Sequence, residues 1–231
     1  MGIKSDLEGE VAAIYKAAWS KRDGRVVPQD TDVQLGNDGV KLEVTMLYAD
    51  LADSTKLAHN YQEEFAAEQY KAFLRCAARI IRSESGEIRS YDGDRVMGIF
   101  VGDSKNTSAV RCALKINWAV KNIIEPAKKL QYPNTNYVMK HVVGVDTSTV
   151  LAARGGIRGA NDLIWIGQSP NFAAKLAAMD ESHATWISHR VYDNMHESVK
   201  YLGSANMWAQ TTWPAWDNMR IHMSTYWWSL N

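Results

Sequence analysis

With 231 residues, 26 basic against 26 acidic side chains and 46% hydrophobic residues, the chain is neutral and long enough for one large domain or one domain with an extension. Neutrality removes any general electrostatic argument for binding nucleic acid or an anionic membrane. No apolar run approaches the ~18–20 residues that cross a bilayer, so no membrane-spanning segment is expected.

The start, Met1 to Glu8, is charged and lacks the apolar core of a signal peptide. It departs from the myristoylation pattern at Asp6. Cys76 and Cys112 fall in helical patterns, which suits a reduced compartment, and a cytoplasmic location is the expectation. Residues 5–20 predict a helix, because Leu7, Val11, Ile14, Tyr15 and Ala18 recur at three- and four-residue steps. Residues 21–40 read as a linker. The expected organisation is an N-terminal helix and linker over 1–40 and a catalytic domain over 41–231.

Residues 42–50 predict the first core strand, on which Val44, Met46, Tyr48 and Asp50 share a face. Asp53-Ser54-Thr55 offers the cap of a following helix, and free N–H groups at such a start suit a phosphate. Residues 62–82 predict a long helix with Ala66, Tyr70, Phe73, Leu74, Ala77 and Ile81 as its apolar stripe. Strands follow at 87–91 and 95–101, with Asp92-Gly93 as the hairpin turn and Asp94 first after it. A second long helix covers roughly 106–130, and Pro126 kinks or ends it.

Residues 137–145 and 149–154 predict two strands and residues 163–166 a short buried one, with Gly155, Gly156 and Gly159 loosening the chain between. Ser169-Pro170 starts a helix that sets Asn171 and Lys175 on one face, apart from an apolar stripe of Phe172, Leu176 and Met179. A strand at 185–188, a short helix near 189–196 and a last strand from Met223 to Leu230 complete the pattern. Trp208, Trp213, Trp216, Trp227 and Trp228 crowd the tail, where they suit core or a subunit interface. Asp217 and Arg220 are the tail's formal charges, too few for a nucleic-acid groove.

Two carboxylates have strand settings that fix them, Asp50 at a strand end and Asp94 beside a tight turn. Each alone suits a turn or cap. Together they suit a divalent metal site, because carboxylate oxygens are the ligands Mg2+ and Mn2+ prefer. Asn171 and Lys175 join a neutral donor and a cation at a helix start, which suits either a substrate phosphate or a solvated face. The six histidines show no zinc-ligand spacing, and neither a Gly-Gly-Asp-Glu-Phe segment nor an aromatic RNA-binding signature is present.

In order and spacing, three segments resemble motifs of the class III nucleotidyl cyclases. They are Tyr48-Ala49-Asp50-Leu51-Ala52-Asp53-Ser54-Thr55, Gly93-Asp94-Arg95-Val96-Met97-Gly98-Ile99-Phe100, and Trp165-Ile166-Gly167 through Asn171-Phe172-Ala173-Ala174-Lys175. The resemblance covers about residues 42–231. It implies an α/β (α+β) ferredoxin-like domain, a mostly antiparallel central sheet flanked by helices, working as a head-to-tail homodimer with composite active sites. It implies that Asp50, Asp94 and the backbone carbonyl of Leu51 hold two Mg2+ or Mn2+ ions. Ala52, Asp53, Ser54 and Thr55 would then cradle phosphate, and Asn171 and Lys175 would reach in from the other subunit.

The sequence departs from the family pattern at four positions. Lys175 stands where arginine is usual, keeping the charge without the fork. Ser90 and Ile164 stand where purine cyclases recognise the base, and Ile164 has no hydrogen-bonding group. Arg95 replaces a small residue. This pattern resembles the bacterial pyrimidine cyclases of anti-phage signalling, with Tyr48, Ser90, Arg95 and Ile164 around a small base. The expectation is conversion of a nucleoside triphosphate, UTP first, to its 3′,5′-cyclic monophosphate and pyrophosphate. Cytidylate or adenylate cyclisation, or a degenerate domain that senses nucleotide, are the alternatives.

Overall fold

The computed structural model describes residues 2–230. Helix α1 (Ile3–Lys16) ends before the expected boundary, where Ala17 turns extended, and none of its side chains is buried. Strand β1 (Ser20–Asp23) then pairs in parallel with the start of β2 (Asp38–Leu51), so part of the stretch read as linker joins the sheet. Val27 and Val33 are buried there, two apolar anchors that the charged residues around them mask in the sequence.

Helix α2 (Ser54–Asn60) precedes the long α3 (Glu63–Ser83), whose Phe73, Ala77, Ile80 and Ile81 are buried. Strands β3 (Glu87–Asp92) and β4 (Arg95–Phe100) form the hairpin. The second long helix is interrupted: α4 (Lys105–Ala119) passes through a π turn at Val120–Ile124 into α5 (Glu125–Gln131). Pro126 sits at the start of α5 and has no N–H for the Asn122 carbonyl, which is why the wider turn falls there.

The two strands expected at 137–145 and 149–154 are one, β5 (His141–Ile157), with 137–140 outside it. It returns as β6 (Ala160–Gly167) through Gly159, whose φ of +85° suits glycine. Then come α6 (Gln168–Leu176), β7 (Thr185–Ser188), α7 (His189–Asn194), the small hairpin of β8 (Tyr201–Leu202) and β9 (Ala205–Asn206), β10 (Ala209–Trp213) and β11 (Met219–Ser224). The chain leaves the sheet after Ser224, where a strand to Leu230 was expected. Its carbonyls at Thr225 and Tyr226 are held instead by the Asn117 side chain, at 3.1 and 2.8 Å.

The main sheet runs β10-β11-β7-β5-β2-β4-β3, with β1 beside β2 and β6 beside β5. Most pairs are antiparallel; β1–β2 and β5–β7 are parallel. Alternation along β2 divides the core. Leu47, Ala49 and Leu51 pack with Phe73, Ala77, Val110 and Leu114 under the long helices. Val44, Met46 and Tyr48 face a second cluster with Val33, Met97, Leu163, Trp165 and Ala173. With both faces covered, a one-residue slip of β2 would exchange every contact, so the register is fixed.

His141, at the start of β5, is buried against Phe73 with its Nε2 unpartnered. Burial, then the Lys121 charge, pull its pKa down to about 4. A histidine held neutral in the fold but free to protonate when unfolded supports stability above its unfolded pKa, and that support is lost as pH falls from about 6.5 toward 4. Between pH 7.5 and 5.0 the urea-derived stability of His141→Leu should therefore fall by roughly 2 kcal/mol less than that of the wild type. Equal losses would show that His141 does not set the acid limit.

Candidate active site

Asp50 lies near the end of β2, half-buried, on the face of Tyr48 and Met46. Burial and, next, the charge of Asp94 push its pKa up to about 6. Asp94 sits in the hairpin loop itself, one place from where the sequence suggested. Asp92 pairs with Arg95 across the strands, so Gly93 and Asp94 are the two loop residues. Gly93 takes φ of +60°, as a loop with glycine in its first position requires, and an Asp92–Arg95 ion pair at 2.9 Å closes it.

Asp94 Oδ2 is buried with no hydrogen-bond partner. A buried, unpartnered carboxylate oxygen is costly. Beside a second carboxylate whose ionisation it opposes, it makes a donor set that fits a hard divalent cation. Among the described residues no group of three or more His, Cys, Asp or Glu side chains could hold a metal. The remaining ligands of such an ion would be backbone, water or substrate oxygens, which Mg2+ commonly keeps.

Next to the pair, the Arg95 guanidinium lies 5.5 Å from the centre of the Tyr48 ring. Burial raises the Tyr48 hydroxyl pKa, and Arg95 opposes that rise. A cavity of about 320 Å3 is lined by Tyr48, Arg89, Ser90, Trp165 and Asn171, among others. Tyr48, Ser90 and Asn171, from three separate stretches of the sequence, thus meet at one hollow.

Ile164 does not join them. Alternation along β6 puts Leu163 and Trp165 in the cavity wall and leaves Ile164 47% exposed. Arg89, which the sequence reading passed over, is there instead. The register of β3 shifts between Ile88 and Ser90, and such a bulge places Arg89 and Ser90 on the same cavity. Arg89 Nη2 donates to the Pro28 carbonyl at 2.7 Å while its Nε is buried and unpartnered. Strict alternation gives no warning of a bulge.

Asn171 Nδ2 donates to the Gly167 carbonyl at 3.3 Å. One turn on, the Lys175 ammonium sits 3.9 Å from the Trp216 ring centre, outside the cavity. Of the expected phosphate segment, Asp53 occupies the N-cap position of α2 in a left-handed conformation, φ +58°. Its carboxylate makes no capping bond and pairs with Lys56 at 2.7 Å. The Ala52 N–H is spent on the Lys140 carbonyl at 2.9 Å. Ser54 and Thr55 keep the first-turn setting, where amides lack helical acceptors.

No protein-family model matches the sequence. Proteins named uridylate cyclase from Burkholderia cepacia and Xanthomonas perforans are 44% and 40% identical to it, with the whole of both chains covered. A uridylate cyclase of Rhodovulum sp. (strain MB263) is 40% identical over 98% of each chain. The chain belongs to the uridylate cyclase family. Solved structures place this member's fold among the class III cyclases. An adenylyl cyclase from P. aeruginosa has a TM-score of 0.65 at 17% identity, over 80% of this chain and 94% of its own. A guanylyl cyclase has 0.64 at 15%, over 80% and 92%. The chain is accordingly an enzyme, a nucleotidyl cyclase.

A carboxyl whose folded pKa is raised stabilises the fold while protonated, and that contribution is lost as pH rises through about 6. In metal-free buffer at pH 7.5, Asp50→Asn should melt about 2–4 °C above the wild type, and the difference should shrink through pH 6 to 4 and vanish below about pH 4. A melting point at or below the wild type's at pH 7.5 would contradict the strained ionisation of Asp50.

Proposed function

We propose that the chain converts UTP to 3′,5′-cyclic UMP and pyrophosphate, in homodimers whose active sites draw on both subunits. The observation that supports this most is the Asp50–Asp94 pair, with its orphaned oxygen, near the hollow to which Tyr48 and Ser90 contribute. In this reading Asp50, Asp94 and the Leu51 carbonyl hold two Mg2+ or Mn2+ ions. Bound there, such ions lower the pKa of the sugar 3′-hydroxyl and neutralise triphosphate charge.

The chain's own residues do the rest. Tyr48 gives the uracil an aromatic wall, and Arg95, held over that ring, offers donors to a uracil carbonyl. Ser90 adds a hydroxyl to the same wall, while Ile164 stands outside it. Ser54 and Thr55 turn their amides to the phosphates. The 3′-hydroxyl gives up its proton to water, its oxygen attacks the α-phosphorus, and the bond to the bridging oxygen breaks as pyrophosphate departs. Asn171 and Lys175, from the second subunit, meet the charge that develops on the α-phosphate. Within its own chain Lys175 lies on Trp216, away from the hollow, which is the placement a partner-facing cation needs.

Residues 1–40 form an extension to a catalytic domain over 41–231, and the product serves as a second messenger in anti-phage defence. That role is supported by the likeness to the bacterial pyrimidine cyclases. No helix among the described residues is long and apolar enough to cross a membrane, and action in the cytoplasm fits that.

Purified protein should be given UTP, CTP, ATP and GTP separately, with Mn2+ or Mg2+. Cyclic UMP from the wild type and none from Asp94→Asn is the expected result; another cyclic nucleotide, or no product at all, refutes the assignment. The composite site has its own test. Asp94→Asn and Lys175→Ala should each be inactive alone. Mixed and allowed to re-pair, they should recover roughly a quarter of wild-type turnover, because half the dimers then hold one intact site. No recovery on mixing would mean that each site is built within one chain.

A further inference from the structure

Helix α6 rests on one face of β5, and three alternate residues of that strand form its seat. Gly144 is the first. A Cβ there would run into the Ala173 carbonyl and the Ala177 nitrogen, so the helix backbone lies directly on the strand. Ser148 is the last. Its hydroxyl accepts the Ser169 amide at 2.9 Å and donates to Ser169 Oγ at 2.8 Å.

Asp146 lies between them and is fully buried. Arg190, from α7, connects it to the helix. Arg190 Nη2 donates to Asp146 Oδ2 at 2.7 Å, and Nη1 donates to Gln168 Oε1 at the first residue of α6. The same guanidinium stands 6.0 Å from the centre of the Phe172 ring. Gln168 and Phe172 are one turn apart, and Asn171 lies between them in sequence.

We propose that Arg190 is a positioning residue for cyclisation: anchored on Asp146 and gripping Gln168 and Phe172, it sets the rotation of α6 and so the placement of Asn171 and Lys175. The proposal rests on Asn171 and Lys175 acting at the substrate phosphate. A planar guanidinium suits the task, because its fixed donors hold two acceptors at a set angle, which an ammonium cannot do. The anchor is firm because a buried carboxylate that loses its cation is strongly destabilised. The bond to Gln168 is different. Gln168 is exposed, so this arm adds little to stability, and its effect falls on where the helix points.

That difference gives the test. Arg190→Lys keeps a cation for Asp146 and gives up the two-armed geometry; Gln168→Ala removes the second arm alone. Steady-state kinetics with UTP should show kcat reduced about 10- to 100-fold in Arg190→Lys and severalfold in Gln168→Ala. KM should stay within about twofold, with melting temperatures close to the wild type's, since neither residue is expected to touch substrate. Combining the two should cost no more than Arg190→Lys alone. Unchanged kcat in both variants overturns the proposal, and so does a loss of kcat that only follows a lowered melting temperature. A wild type that makes no cyclic UMP overturns the functional assignment first and this proposal with it.

Discussion

The antiparallel ladder between β2 and β5 is the constraint on which the rest depends. It runs from Gly39 opposite Ala153 to Leu51 opposite His141. Within it Tyr48 faces Gly144 and Met46 faces Asp146. The wall of the Tyr48 cavity and the seat of α6 are therefore adjacent positions of one register. The long helices cover the opposite face through Leu47, Ala49 and Leu51. A slip by one residue would bury Asp50 beneath those helices and turn Leu51 into the site. Apolar packing on both faces thus fixes where a carboxylate stands.

At the end of that ladder the fold accepts electrostatic cost. Asp50 is half-desolvated and opposed by Asp94, so its ionisation is delayed to about 6 and costs the fold stability. Across the strand pair, His141 opposite Leu51 is kept neutral by burial and by Lys121. The two groups pull in opposite directions. Acid relieves Asp50 and strains His141; base does the reverse. Without a counter-ion, both groups stand uncharged in the fold between about 4 and 6, and a divalent cation would offset the cost of ionised aspartates above that range. Groups held this way persist because surrounding packing determines their position more strongly than their own solvation does.

The central elements were legible because their signals are periodic: the β2 face, the apolar stripe of α3, and the cap with proline that opens α6. The placement of Asp50 at a strand end and of Asn171 and Lys175 on the first turns of a helix followed likewise. What escaped was aperiodic or non-local. The hairpin turn fell one residue from Asp-Gly because glycine is wanted in the first loop position and Asp92 gains an ion pair with Arg95. Arg89 entered the cavity through a bulge, and Ile164 left it because its neighbours took the inward positions. The stretch before β2 looked like a linker, yet its Pro28 carbonyl holds Arg89 and its Val27 and Val33 fill the core. Arg190 carried no local signal, since its meaning lies in elements far along the chain.

In the proposed reading, Lys175 takes from packing part of what an arginine would take from its fork. An arginine would locate its charge through the planar fork, whereas lysine has a point charge on a flexible stem. Here the ammonium is parked 3.9 Å from the Trp216 ring, so part of its rotational freedom is already spent. Trp216 is itself packed on Phe172 of α6, with ring centres 4.6 Å apart, and Phe172 lies beneath the Arg190 guanidinium. The charge, its aromatic rest and the helix that bears it are coupled through one side chain. In the proposed reading, Trp216 of the tail supplies from packing the directionality that the lysine head group lacks.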